Sequence, residues 1–417
     1  MSLADKLTKP KSYLITFFKW SLIGTLMGAW GGLLGAAFHH ALHFVTHLRT
    51  EHTWLIFLLP LAGLLSVGIY TLLHQRSNRG TNEVIDAVLS GGDVSAYLSP
   101  TIFLASAVTH MFGGSAGREG AALQIGASTA TLISRGLRMK SHDRRVLIIS
   151  GMSAVFAGLF GTPLTAALFC MEFETVGTLF SPALLPSYLA AFVASRVSGL
   201  LGVHAEGILL ETATIFTLSN SWRFVLLAIL VSFVGIGMCR FFHGAEHLAA
   251  HYIKNPWIRI AVGGAIITIL TVLVGDQRYN GAGMDMALAA VEGHAQWFDF
   301  LLKMLFTAAT LAAGFKGGEI VPTFCIGATF GCIAGGLLGL DPGICGALGL
   351  VGLFCCATNA PFASIVLSIE MFGSANVHLF ALVCVICFVL SGQGGLYSSQ
   401  RFIFRKTSTK PIPDNQA

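Results

Sequence analysis

Gly117–Ser128 reads GREGAALQIGAS, and Gly318–Thr329 reads GEIVPTFCIGAT. Each is a run of glycine and charge that passes without a break into an apolar helical pattern. With Glu119 set opposite Ile320 the two lie 201 residues apart, position 119 against position 320. Two further pairs recur at nearly that interval. TPLTAALFCMEF from Thr162 resembles APFASIVLSIEMF from Ala360, which puts Glu172 opposite Glu370, and His39, His43 and His47 return as His243, His247 and His251. Three matches in register identify an internal duplication.

The rest of the sequence says what is duplicated. Of 417 residues, 54% are hydrophobic and only 11% charged, against about 25% in soluble chains. That excludes a soluble globular enzyme. Apolar stretches at about 12–47, 54–73, 98–112, 119–134, 146–173, 179–203, 223–243, 257–275, 298–315, 323–340, 343–372 and 376–394 predict an all-α, polytopic membrane protein. Several stretches are too short or too interrupted to cross alone, so re-entrant and discontinuous helices are expected, and the 48 glycines suit both those breaks and close helix packing. The net charge of +5 comes from short clusters at the ends of apolar runs, which excludes the broad basic face of a nucleic-acid binder. Nine cysteines, all from Cys170 onward and nearly all in apolar runs, read as reduced small hydrophobes. The CxxC at Cys384 and Cys387 has no second pair to make a metal site of it. No cofactor and no metal are expected.

Four parts follow: an N-terminal tail over 1–11, a first membrane repeat over 12–203, a second over 204–398 and a C-terminal tail over 399–417. Lys6, Lys9 and Lys11, then Arg76 and Arg79, then Arg135, Arg138, Lys140, Arg144 and Arg145 mark one side of the membrane. Arg401, Arg405, Lys406 and Lys410 mark the same side at the other end, whereas the loops at 204–221 and 276–297 hold Arg278 as their one Lys or Arg. Cytoplasmic positive charge predicts a multi-pass protein of the plasma membrane with both termini in the cytoplasm. The first residues, MSLADKLTKPKSYLI, lack the small-residue cleavage site of a signal peptide. An odd number of crossings per repeat would then invert the second repeat relative to the first, the plan of transporters that bind substrate at the midplane between repeats.

The chemistry follows from the helix starts. Gly117, Arg118 and Gly120 precede or open an apolar helix, where unobstructed N–H groups and the positive end of the helix dipole attract an anion. Gly314–Pro322 (GFKGGEIVP) repeats the arrangement, with proline suited to a first helical turn. Two helix N-termini from opposite repeats could converge on one anion. Glu119 stands at the first mouth, where its carboxylate would compete with that anion and couple anion movement to a proton; the bland alternative is a salt bridge to Arg118 or a cap. Glu319 reads either as structural or as shaping the second mouth. Glu172 and Glu370, at matching helix ends, read as sharing a structural job. The histidine triplets, each on one helix face, read as an interfacial polar stripe before a metal site. Tyr397, just after the last span, could donate its hydroxyl to an anion or anchor the chain at the interface.

Taken together these residues resemble the CLC family of chloride channels and anion/proton exchangers over nearly the whole chain. GREGA at Gly117–Ala121 is similar to the family's GREGP and GEIVP at Gly318–Pro322 to its GxFxP, and LYS at Leu396–Ser398 resembles the segment with the anion-coordinating tyrosine. The resemblance implies a homodimer with one pathway per subunit. It also implies gating and proton coupling by Glu119, and anion contacts from the amides of Ile320 and Val321 and from Tyr397. Three departures stand out. NRGTN at 78–82 replaces the family's GSGIP, leaving Asn78, Thr81 and Asn82 as polar candidates; Ile320 replaces the phenylalanine; and Phe173 holds the position of the internal proton-relay glutamate. GFKGGEIVP is similar to the fluoride/proton antiporters of the family, so a halide/proton antiporter with fluoride slightly favoured over chloride is expected. The alternative within the family is a passive, voltage-gated-type chloride channel. Because the sequence ends soon after Tyr397, the cytoplasmic nucleotide-binding domains that some relatives append are not expected. An alternative of another class, an intramembrane serine hydrolase, rests on the GxSxG at Gly113–Gly117 with His110 nearby, a weak motif alone.

Overall fold

The computed structural model describes residues 3–73, 75, 79–204, 207–210, 214 and 217–407, with side chains from Tyr13 onward. The first half runs α1 (Leu3–Glu51), α2 (Leu59–Leu72), α3 (Thr81–Ser90), α4 (Leu98–Met111), α5 (Glu119–Gly136), α6 (Ser141–Phe160), α7 (Pro163–Glu172) and α8 (Leu184–Leu200). The second repeats it as α9 (Leu218–Tyr252), α10 (Pro256–Val274), α11 (Met284–Val291), α12 (Asp299–Ala313), α13 (Ile320–Leu337), α14 (Pro342–Thr358), α15 (Pro361–Phe372) and α16 (Val377–Leu390). Among the described residues the fold is all-α except for a two-residue parallel pairing of β1 (Thr175–Val176) with β2 (Arg401–Phe402). Helix α1 begins at Leu3, well inside the segment that the sequence reads as a tail.

Six stretches among the described residues are long and apolar enough to cross a membrane: Tyr13–Glu51, Thr53–Leu72, Ser181–Leu200, Leu218–Tyr252, Pro256–Val274 and Ile320–Leu337. Others are too short. At 1.5 Å per residue, the ten residues of α7 reach about 15 Å, half of a hydrocarbon core about 30 Å thick.

Two of the expected spans are broken. Residues 146–173 divide into α6 and α7 because Gly161, at φ 70°, ends α6 in the left-handed region and Pro163 opens α7. Residues 343–372 divide into α14 and α15 in the same way, with Asn359 at φ 59° and Pro361. A left-handed residue followed by proline stops one helix and starts the next, and both repeats carry that break 198 residues apart, at 161 and 359. Helices α3 and α11 do not stand out among the apolar stretches because they are short, and α3 is interrupted by Asn82, Glu83 and Asp86.

Equivalent helices also pack alike. A β-carbon on Gly151 would lie 2.7 Å from the carbonyl oxygen of Gly126, so α5 and α6 touch backbone to backbone there. In the second half Gly349 meets the carbonyl of Gly327 in the same manner, joining α13 to α14. Small residues at these crossings are what permit so close an approach.

Candidate functional site

The loops ahead of α5 and α13 meet at the centre of the molecule. Gly117 N–H donates to the carbonyl of Gly318 at 2.6 Å and Gly318 N–H donates to that of Gly117 at 2.7 Å, an antiparallel bridge between equivalent residues of the two repeats. Two segments that pair antiparallel through equivalent residues are related by a local twofold, so the helices that follow leave the bridge with their N-termini facing a common region. The paired helix mouths expected from the sequence are therefore adjacent.

Glu119 occupies that region. It is fully buried, and its Oε2 accepts from the amides of Arg118 at 3.1 Å and of Val321 at 3.2 Å, one from each mouth. Its Oε1 has no hydrogen-bond partner among the described residues. The glycines make room: a β-carbon on Gly318 would sit 2.6 Å from Oε2, and one on Gly117 would come closer still. Gly120 is pressed against Thr81, whose Oγ1 would lie 2.9 Å from a β-carbon there. Ile320 and Val321 are buried at the start of α13, with the Val321 amide spent on the carboxylate.

Glu119 lines neither of two cavities whose walls its neighbours form. Arg118 and Val321 line a cavity of about 610 Å³ at the C-terminal end of α1. Gly120, Gly318, Glu319, Thr81, Asn82 and Tyr397 line a narrower one of about 100 Å³. Tyr397 also lines a third, of about 470 Å³, with His243 and Gln400. It is held by the Leu396 amide, which donates to Ala357 at 2.8 Å, and by an edge contact of its ring with Phe173 at 5.8 Å. Asn82 Oδ1 accepts from the Ser399 amide at 3.0 Å, tying the start of α3 to the residues after Tyr397. Asn78 lies outside the described residues.

Arg118 lines the wider cavity. Its guanidinium lies 5.0 Å over the Phe160 ring and 3.4 Å from His39 Nδ1. His39 and His43 stack at 6.4 Å and line the same cavity, whereas His247 and His251 stack at 6.2 Å near the end of α9.

The two carboxylates placed opposite one another by the duplication cap each other's repeats. Glu370 accepts from the amides of Leu164 and Thr165 at 2.9 and 2.8 Å, and Glu172 from those of Phe362 and Ala363 at 3.1 and 2.8 Å. Each therefore satisfies the open N-terminus of the other's short helix, α7 or α15. Phe173 is buried beside them. Glu174, the next residue, takes an ion pair from Arg145 at 2.7 Å.

Lys303, in α12, escapes the motif-based reading. It is fully buried, and its Nζ donates to Ser115 Oγ at 3.0 Å and to the carbonyls of Tyr279 and Gly281 at 3.1 and 2.7 Å. The signal was available, since a lysine inside an apolar helix marks function or a buried partner. The same contacts correct the hydrolase alternative. Ser115 is fully buried, its Oγ within 3.0 Å of Thr307 Oγ1 and Lys303 Nζ, so it knits the Gly113–Gly117 loop to α12 instead of facing a substrate.

Comparison with known proteins agrees with this geometry. A family model described as voltage gated chloride channel matches residues 63–392. A chloride/fluoride channel protein of Pseudomonas syringae pv. tomato is 33% identical over 405 residues, covering 95% of this chain and 89% of that protein. The crystal structure of a CLC-type fluoride/proton antiporter superposes with a TM-score of 0.89 at 31% identity, covering 92% of this chain and 98% of the other. A slow cyanobacterial Cl⁻/H⁺ antiporter shares the fold, with a TM-score of 0.77 at 20% identity over 89% of this chain and 94% of that one.

Proposed function

The chain belongs to the CLC family of anion channels and transporters, which are not enzymes, and from that premise we infer that it exchanges a halide for protons, fluoride in preference to chloride. One observation carries the reading: the Glu119 carboxylate sits on amides from both helix mouths, in the place that an unhydrated anion would need. A carboxylate and a halide compete for the same donors. Protonation removes the charge that holds Glu119 there, the side chain leaves, and an anion takes its place; when the anion departs, the carboxylate returns having released its proton. Each cycle thus moves anion and proton against each other.

Fluoride is small and tightly hydrated, so a site that strips its water must offer strong, close donors. Backbone amides at two helix N-termini are donors of that kind, and the likeness to a fluoride/proton antiporter supports the same choice. Tyr397 guards the narrow cavity on the other side of the mouth, and Gly117, Arg118, Gly120, Gly318, Ile320, Thr81 and Asn82 shape the place itself. The subunit is expected to pair into a homodimer with one pathway each.

Purified protein in liposomes tests this directly, with fluoride and chloride efflux recorded beside pH. Wild type should release fluoride faster than chloride and take up protons as it does so. Glu119→Gln should lose the proton movement, because a neutral side chain cannot carry one. Proton-coupled flux that survives Glu119→Gln and Glu119→Ala would remove Glu119 from the mechanism, and wild-type flux without protons would make the protein a passive channel.

A further inference from the structure

Gln124 lies one turn into α5 and is 3% exposed. A buried side-chain amide is costly unless both of its ends are used. One end is fixed: Nε2 donates to the carbonyl of Gly120 at 3.0 Å, and because a carbonyl oxygen cannot donate, that bond also settles which amide atom is which. The other end is open. Oε1 makes no hydrogen bond to any described residue, and it is not sealed in the packing as Glu119 Oε1 is. It faces the cavity of about 100 Å³ that Gln124 lines together with Gly120 and Gly318, well above the roughly 15 Å³ that one water needs.

The same cavity adjoins Glu119. The carboxylate rests so close to Gly318 that a β-carbon there would lie 2.6 Å from Oε2, and neither Gly318 nor Gly120 carries a side chain to close the cavity off. With its amide held at the Gly120 carbonyl, Gln124 places its free oxygen beside the residue that follows Glu119. The charged groups that line the space are two bases, Arg79 and Lys316, and two acids, Glu246 and Glu319. Arg79 pairs with Asp86. Lys316 lies 4.6 Å from the centre of the Tyr70 ring, drawn to Glu246 and Glu83 and repelled by Arg259, while Glu246 repels Glu319. The Tyr397 hydroxyl feels both Glu119 and Glu319, and Arg118, which attracts Glu119, lines the wider cavity. No net charge therefore draws an ionised Glu119 into the narrow space.

We propose that Gln124 receives the protonated Glu119 side chain: when the acid leaves the two mouths, its O–H donates to Gln124 Oε1. The role rests on the halide/proton reading above. An amide suits it for a chemical reason. Its oxygen accepts from a carboxylic acid but repels a carboxylate, and it does not take the proton for itself, as the carboxylates of Glu319 or Glu246 could. Gln124 thus holds Glu119 aside while the acid is neutral and rejects it once ionised, which keeps the mouth from being vacated without a proton. It is a positioning residue that acts on halide and proton through Glu119 alone.

The test follows efflux from liposomes across a pH series, with sodium fluoride and sodium chloride as probes. Gln124→Met removes the acceptor at nearly constant length. The displaced, protonated state loses a hydrogen bond, so more protons are needed to empty the mouth. The half-activating proton concentration should rise about threefold to tenfold, which lowers the pH of half-maximal flux by roughly 0.5–1. In Glu119→Ala there is no acid to hold, and adding Gln124→Met to it should alter neither the flux nor its pH dependence. A midpoint that Gln124→Met leaves in place overturns the assignment. So does an equal fall in flux on the Glu119→Ala background, which would make Gln124 an ion contact or a packing residue. If Gln124→Met does not fold, Gln124→Asn, whose amide is one methylene short, is held to the same criteria. Wild-type liposomes that release neither halide, or whose proton coupling survives Glu119→Gln, overturn the functional reading and this role with it.

Discussion

At the scale of single residues the chemistry depends on what each polar group faces. Glu119 was legible as an intramembrane acid at a glycine-rich helix start, because a carboxylate in an apolar setting has few reasons to be there. Its partners were half legible. The amide of Arg118 follows from the chain, but the amide of Val321 comes from the other repeat and becomes visible once the duplication is recognised. Tyr397 is at the edge of two cavities, within ring contact of Phe173, so removing its hydroxyl leaves the packing and takes away one donor. Tyr397→Phe should therefore weaken halide affinity in the liposome assay roughly tenfold to a hundredfold, the worth of a hydrogen bond to a charged partner, with folding and proton coupling kept. An unchanged affinity would reduce Tyr397 to an aromatic anchor. Lys303 was legible only as a basic residue inside an apolar helix; the packed structure shows its three N–H groups spent on Ser115, Tyr279 and Gly281.

At the scale of helices the breaks matter more than the runs. Hydropathy detects an apolar stretch but not a turn within it, so α6 with α7 and α14 with α15 read as single spans. The cue was present in Gly161 with Pro163 and in Asn359 with Pro361. Short helices inside a bilayer leave their first amides open, and with no water to bond them each is costly. Glu172 and Glu370 answer that need across the repeats. Glu370→Gln should lower thermal stability, because an amide oxygen accepts less strongly than a carboxylate and its NH₂ group gains no acceptor there. A loss of about 1–3 kcal/mol is expected, read as a fall in the melting temperature of the detergent-solubilised protein. Glu172→Gln should match it, and two variants as stable as wild type would show that the caps are ornamental.

At the scale of the whole molecule several basic groups from distant segments meet around the start of α6. Lys19 pairs with Asp143 at 2.7 Å, Arg135 and Arg144 share Asp93, and the Arg401 amide donates to the carbonyl of Glu174, whose side chain holds Arg145. Residues remote in sequence thus bring their positive charge together, in line with the positive-inside rule. Fusing a fluorescent protein to either terminus should give fluorescence from the cytoplasm, and an exported-phosphatase fusion at either terminus should stay inactive. Opposite results at the two ends would require an even number of crossings in one repeat and an odd number in the other. The duplication was open to the sequence, since it is a matter of pattern; the helix count was not, because twelve apolar stretches became sixteen described helices, two stretches containing a turn and α3 and α11 being too short to stand out. Which helices cross and which turn back was not, because that depends on partners supplied from the other half.

The pair of hydrogen bonds between Gly117 and Gly318 has a mechanical consequence. Carriers that work by tilting one lobe against the other need a seam that can slide, and here the seam is riveted at the point where the proposed mechanism passes the cargo. Swinging the lobes would tear two backbone bonds in a medium with nothing to replace them. On the proposed mechanism the moving part would then be one acidic side chain, whose rotation takes far less time than a domain swing. Chemically tethering the lobes to each other should therefore leave turnover intact, where it would arrest a rocking carrier.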